Sequence, residues 1–229
     1  MIHNIFLKGN NTMTPLHAKI ILFDLDGTLI DSTEAILESF AKAYEKCGGD
    51  VPSDESIKNL VGLPLKIMFV KLGVNEKNKM DYVQAYKEHY RTIHTQKTVL
   101  LPQVKEAIEK AHTFARLGVV TTKTGQYSRE LLEYFDLMHY FEVLIGAEDV
   151  QNLKPHAEPI LKALDTIGDY EKKKAYMIGD TISDILSAKE ANITSIAVLC
   201  GYGEDNELHQ NANFVTKNTY DAVTLIEKR

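Results

Sequence analysis

The run Ile20-Ile21-Leu22-Phe23 is apolar at every position and gives way at once to Asp24-Leu25-Asp26-Gly27-Thr28. A strand with one wet face alternates apolar and polar residues. An unbroken run predicts a strand covered on both faces, as at the centre of a parallel sheet. Similar runs recur at Leu117 to Val120, Phe141 to Ile145, Tyr176 to Ile178 and Ile196 to Leu199. Between the last four lie helical patterns over Arg129 to Phe135, Ile160 to Ile167 and Ile182 to Ala191. Strands alternating with helices predict an α/β fold, a three-layer Rossmann-like parallel sheet with helices on both faces.

One stretch interrupts the alternation. From Ser32 to about Leu101 the sequence predicts no strand. Ile36, Phe40 and Tyr44 recur every four residues, and Gly48-Gly49 is a helix stop. Further helices are expected after Pro52-Ser53, after Pro64, and around Tyr82, Val83, Tyr86 and Tyr90. The simplest organisation is an α-helical domain (32–101) inserted into an α/β core made of residues 19–31 and 102–229. Residues 1–18 lack periodicity and are expected to be an N-terminal extension. Lys172-Lys173-Lys174 is expected to be a solvated loop before a strand.

Composition narrows the function. With 32 acidic and 26 basic residues the net charge is −6, which argues against a nucleic-acid partner. No apolar run approaches a membrane span, and Met1 to Lys8 is too short an apolar segment for a secretory signal. Two cysteines, Cys47 and Cys200, cannot form a disulfide framework and suit a reducing compartment. A cytoplasmic protein is expected, as monomer or homodimer.

Ligands of open parallel sheets bind beyond the carboxyl ends of the strands, so the residues following each apolar run carry the chemistry. After the first run come Asp24 and Asp26, spaced to point the same way on an extended segment. After Leu117 to Val120 come Thr121, Thr122 and Lys123; Lys154-Pro155 follows the Phe141 to Ile145 run. After Tyr176 to Ile178 comes Gly179-Asp180, with Asp184 on the same face of any helix starting near Thr181. Four carboxylates in one crevice cannot all stay ionised without a cation, and oxygen ligands suit Mg²⁺. Each pair alone is also ordinary turn and helix-cap chemistry; both together at strand ends are not.

This set resembles the haloacid dehalogenase-like superfamily, chiefly its phosphatases, from Ile20 to about Gly203. The resemblance rests on Asp24-Leu25-Asp26-Gly27-Thr28, on Thr121 ending a hydrophobic strand, on Lys154-Pro155, and on Gly179-Asp180-Thr181-Ile182-Ser183-Asp184. The helical insertion is similar to the family's small helical cap. The resemblance implies that Asp24 is a nucleophile forming an aspartyl-phosphate and that Asp26 is the acid/base. It implies Mg²⁺ at Asp24, the Asp26 carbonyl and Asp180, with Asp184 acting through water or by orienting neighbours. Thr121, the Thr122 backbone and Lys154 would bind phosphoryl oxygens, Lys154 also neutralising charge.

Dehalogenases of the family usually lack a carboxylate two residues after the nucleophile, so Asp26 favours a phosphatase. The chain looks most like the phosphoglycolate phosphatase-like branch, acting on a small-molecule phosphate ester. An inorganic pyrophosphatase is also similar, through Val119-Val120-Thr121-Thr122-Lys123 and Tyr90-Arg91-Thr92-Ile93. A phosphosugar mutase and a non-enzymatic binding protein are the remaining alternatives. Asn192 stands where relatives commonly carry Gly, and Asn tolerates the left-handed conformation expected there. Lys123 is expected to be a solvated side chain. Tyr82, Tyr86 and Tyr90 are expected to form cap core, and Gly62-Leu63-Pro64 a cap loop facing the site. None of the histidines, His89 and His94 included, is expected to be catalytic.

Overall fold

The computed structural model describes residues 19–229; the expected N-terminal extension lies outside them. β1 (Lys19–Phe23) is buried from Ile20 onward, as its apolar run requires. A tight loop leads to β2 (Ile30–Asp31) and then to helices α1 (Thr33–Cys47), α2 (Asp54–Lys58), α3 (Leu65–Lys71) and α4 (Lys79–Ile93). The helix stop read at Gly48 holds, with φ at 97°. Ser53 caps α2 by accepting from the Ser56 amide. The chain returns through β3 (Val99–Leu100), which pairs antiparallel with β2. This corrects the expectation of no strand before Leu101. Two residues on each side, far apart in sequence, leave no periodicity to detect, yet they strap both ends of the helical segment together.

The remainder alternates as α5 (Val104–His112), β4 (Ala115–Val120), α6 (Gly125–Tyr134), β5 (Val143–Ile145), α7 (Glu158–Ile167), β6 (Ala175–Gly179), α8 (Ile182–Glu190), β7 (Thr194–Val198), α9 (Asp205–Asn211), β8 (Phe214–Thr216) and α10 (Thr219–Glu227). Lys172–Lys174 forms a single 3₁₀ turn before β6 rather than an open loop. Asn192 takes the left-handed conformation at φ 57°.

Six strands form one sheet in the order β5-β4-β1-β6-β7-β8, and every pairing is parallel. β1 shows why its run had to be apolar throughout. Ile21 and Phe23 pack into a cluster with Ile108 of α5, Leu132 of α6 and Val223 of α10. Ile20 and Leu22 pack on the opposite face with Ile160 and Leu164 of α7. Each side chain fully removed from water contributes roughly 1.5–3 kcal/mol, so both layers draw on the same strand.

The four helices of the insertion enclose a cluster of their own around Phe40, Phe69, Tyr44 and Tyr86. Most of its ring pairs meet at an angle, Phe40 and Phe69 with centroids 4.6 Å apart and Phe40 with Tyr86 edge-on at 5.1 Å, while Tyr86 stacks on Tyr90 at 5.5 Å. From β1 the chain steps outward to β4 and β5, then crosses back to β6 on the other side of β1 and steps outward the opposite way. That reversal opens a crevice at their carboxyl ends. Among the described residues no helix is long and apolar enough to cross a membrane.

Candidate active site

The segment after β1 is a turn folded back on itself. The Leu25 carbonyl accepts from the amides of Leu29 at 2.8 Å and Ile30 at 3.0 Å. Leu25 therefore points into the core while Asp24 and Asp26, on either side of it, face the crevice. The turn needs a positive φ at Gly27, which is 81°. A Cβ there would lie 2.2 Å from Asp180 Oδ2, so glycine also permits the close approach of two loops.

Asp24, Asp180 and Asp184 converge, each offering a carboxylate oxygen within 4.8 Å of the others. Lys154 Nζ lies 2.6 Å from Asp24 Oδ1, 2.6 Å from Asp184 Oδ1 and 2.8 Å from the Val120 carbonyl. Asp184 is fixed in turn by the Thr181 amide and hydroxyl, which cap α8 from the same side. Asp180 accepts from Thr28 Oγ1 at 2.9 Å and from the Tyr202 amide at 2.8 Å.

Burial pushes the Asp24 carboxyl up to about 7, with Lys154 opposing and Asp184 adding to the rise. Asp180 is driven well above the carboxylate range by burial and then by Asp24 and Asp184. Burial works against the Lys154 ammonium, but Asp184 and Asp24 outweigh it and raise its pKa. Three carboxylates around one ammonium carry two uncompensated charges when ionised. A hard divalent cation with oxygen ligands resolves that imbalance, so this donor set fits Mg²⁺.

Asp26 turns elsewhere. Ser32 Oγ donates to its Oδ1, and Lys123 Nζ stands 3.0 Å from its Oδ2. Here the reading of Lys123 as solvated is wrong. Its side chain is only 10% exposed, and its ammonium sits 4.6 Å over the ring of Tyr90. A helix from the distant insertion covers it, which no local pattern reports.

Thr121 is buried, and its hydroxyl accepts from the Lys123 amide at 3.2 Å. Thr122 Oγ1 donates to the Gly62 carbonyl at 3.1 Å and so joins the core to the helical segment. Ser32 and Tyr202 were missed by sequence reasoning, and Thr28 was read as part of the first motif without a role. The signal for Tyr202 was its place between Gly201 and Gly203 in the loop that follows β7, another strand end facing the crevice. His89 Nε2 is 2.9 Å from Glu38, and His94, stacked on Tyr90, is 2.9 Å from Glu130.

From Asp26 a cavity of about 460 Å³ extends under the helical segment, and Gly62, Leu63 and Pro64 line it as expected. Tyr86 and Tyr90 serve two purposes: they belong to the aromatic cluster of the helices and also line this cavity. Tyr82 packs against Tyr44 at 5.1 Å, in keeping with the core role expected for all three.

A profile of the family described as haloacid dehalogenase-like hydrolase matches residues 21–198. Among curated proteins, the chain is 30% identical over 210 residues to pyrophosphatase PpaX of Halalkalibacterium halodurans, covering 90% of this chain and 95% of that one. It is also 30% identical over 212 residues to a phosphoglycolate phosphatase of Aquifex aeolicus, covering 91% and 97%. Among solved structures, a haloacid dehalogenase-like family hydrolase of Streptococcus pneumoniae superimposes with a TM-score of 0.83 at 27% identity, covering 91% of this chain and 98% of that one. The chain belongs to the haloacid dehalogenase-like hydrolases.

Proposed function

We propose that this phosphatase of the haloacid dehalogenase-like family hydrolyses small phosphate monoesters in two steps through Asp24. The observation that carries the reading is the convergence of Asp24, Asp180, Asp184 and Lys154 at the strand ends, with Asp26 beside them at the mouth of a cavity.

In the first step a carboxylate oxygen of Asp24 attacks phosphorus. The bond to the ester oxygen breaks, and Asp26 gives that oxygen its proton as the alcohol leaves. In the second step Asp26 takes a proton from water, whose oxygen attacks phosphorus. The bond to Asp24 breaks, freeing inorganic phosphate and restoring the carboxylate. Lys154 holds Asp24 in place and offsets charge on the phosphoryl oxygens, with Thr121 and the Thr122 backbone as further contacts. Mg²⁺ would be held by Asp24, the Asp26 carbonyl and Asp180, and would supply charge neutralisation at the transferring group. Asp184 is a positioning residue, because both of its oxygens are engaged by Lys154 and Thr181.

Residues 32–101 serve as the cap, excluding water when closed, and the Thr122–Gly62 contact supports that role. The free thiols of Cys47 and Cys200 support a reducing, cytoplasmic setting, and the acidic balance of the chain supports a small-molecule substrate over a nucleic acid. Pyrophosphate hydrolysis is the second reading, favoured by the likeness to a pyrophosphatase over most of both chains. The test is phosphate release from a panel of esters and pyrophosphate, with Mg²⁺ or EDTA, for wild type beside Asp24→Asn. Mg²⁺-dependent release abolished by the substitution is expected. Release that survives both EDTA and the substitution would contradict the reading.

A further inference from the structure

Asp180 has two supports, and one of them reaches well beyond it. Thr28 Oγ1 donates to its Oδ1 at 2.9 Å, and the Tyr202 amide donates to its Oδ2 at 2.8 Å. The loop that carries Tyr202 is pressed against Asp180 on both sides of that amide. A Cβ at Gly201 would strike the Asp180 carboxylate and one at Gly203 the Asp180 carbonyl, so neither place has room for a side chain. The Tyr202 backbone is thereby held in register with a carboxylate of the proposed metal site.

The Tyr202 side chain leaves that site for the point where the chain enters the helical insertion. Its ring covers Gly27, where an added Cβ would lie 2.8 Å from Tyr202 Cδ2. Its hydroxyl is 3.0 Å from Thr33 Oγ1, on the first residue of α1, and 3.5 Å from Asp31 Oδ1, on the last residue of β2. Asp31 Oδ1 also accepts from the Thr33 amide at 2.9 Å, and β2 pairs with β3, the strand by which the chain returns. A contact at this point therefore bears on both crossings between the core and the insertion. Tyr202 is half-buried, so its hydroxyl is partly sheltered from competing water.

Resting on the reading of Asp180 as a metal ligand, we infer that Tyr202 is a positioning residue that couples the metal site to the helical insertion. Its amide fixes Asp180, and its hydroxyl fixes the entry to α1. Occupancy of the site and the setting of the insertion then favour one another, because coupling between two sites acts equally in both directions. The link to the insertion runs through one hydroxyl. Removing that hydroxyl separates the two while keeping the ring over Gly27 and the amide on Asp180.

The test is hydrogen–deuterium exchange of the full chain, read by mass spectrometry, with Mg²⁺ alone added or withheld. Wild type is compared with Tyr202→Phe and with Thr33→Val, which removes the partner hydroxyl from the other end. In wild type, Mg²⁺ is expected to slow exchange at 180–184 and also, by about fivefold or more, at 29–36 and 97–101. In both variants the slowing at 180–184 is expected to persist and the slowing at the two crossings to be lost. Combining the substitutions is expected to add nothing, because each deletes the same contact. Slowing at the crossings that survives in both variants overturns the coupling and leaves the metal reading standing. Wild-type slowing confined to 180–184 does the same. Faster exchange throughout the parallel sheet in both variants, with or without Mg²⁺, also overturns the coupling and makes the contact one that holds the fold. No slowing at 180–184 in wild type overturns the metal reading together with the coupling.

Discussion

The ammonium of Lys154 lies 2.6 Å from Asp24 Oδ1, and both side chains are shielded from solvent. An ammonium has three hydrogens, and Asp24, Asp184 and the Val120 carbonyl take one each. Lys154 is thus a strut with no free donor in this arrangement. It brings the ends of β1 and β4 and the first turn of α8 to one point.

Replacing Lys154 by Met keeps much of the stem and removes the charge. Breaking a buried ion pair by deleting one partner costs about 3–5 kcal/mol, because the remaining charge is left uncompensated. Urea unfolding of Lys154→Met is expected to show a loss of that order. Phosphate release is expected to fall by about a hundredfold or more through lost electrostatic stabilisation. A variant as stable and as active as wild type would remove the strut from the account.

Metal binding should depend on pH with a definite sign. In the metal-free fold Asp24 keeps its proton up to about 7, whereas its ordinary carboxyl value is 3.8. Between those values the unfolded chain has released a proton that the fold retains, so rising pH destabilises the metal-free fold until Asp24 ionises. A cation competes with that proton. The rise in melting temperature caused by Mg²⁺ is therefore expected to be larger at about pH 8 than at about pH 6. Equal shifts at both would show that Asp24 ionisation is not linked to metal binding.

Lys123 orients the proposed acid/base. In Lys123→Met the Asp26 carboxylate keeps the Ser32 hydroxyl and loses its ion pair and the tether to Tyr90. General acid–base catalysis is worth about 10²–10⁴-fold, and a misplaced group forfeits part of that. A drop in kcat of about tenfold or more is expected in steady-state assays. An unaltered kcat would reduce Lys123 to a packing residue.

Closure of the proposed cap should be sensitive at Gly62. Its φ is 97°, and an added Cβ would lie 2.9 Å from Thr181 Cγ2. Left-handed backbone costs a non-glycine residue about 1–2 kcal/mol, and the clash falls only where the cap loop meets the core. Gly62→Ala is expected to raise KM and lower kcat together while leaving the urea midpoint of the core transition little changed. A large shift in that midpoint with normal kinetics would place Gly62 in the folding of the core rather than in closure.

What could be read from sequence was what depends on neighbours in the chain. The apolar run of β1, the turn at Gly27 and the capping of α8 by Thr181 and Asp184 are local, and each put a carboxylate at a strand end. The four helices of the insertion were legible from their spacing and from Gly48, Ser53 and Pro64. Features made by distant segments were not. Lys123 looks like any polar residue after a strand until Tyr90 of α4 covers it. The β2–β3 strap is too short to show a period, and β8, only partly buried along Phe214 to Thr216, lacks the apolar run that marked the central strands. Tyr86 and Tyr90 are core as their spacing indicated, both buried in the aromatic cluster, and that they also border the cavity is what the stripe could not show.

The central claim, that the phosphoryl group passes through Asp24, is tested most directly by trapping. Enzyme mixed with a phosphate-labelled ester and Mg²⁺ is quenched in acid during turnover, and the labelled peptide is mapped. The account predicts acid-stable, base-labile label on the peptide bearing Asp24, absent from Asp24→Asn. Turnover with no labelled protein, or with the label on another residue, would contradict it.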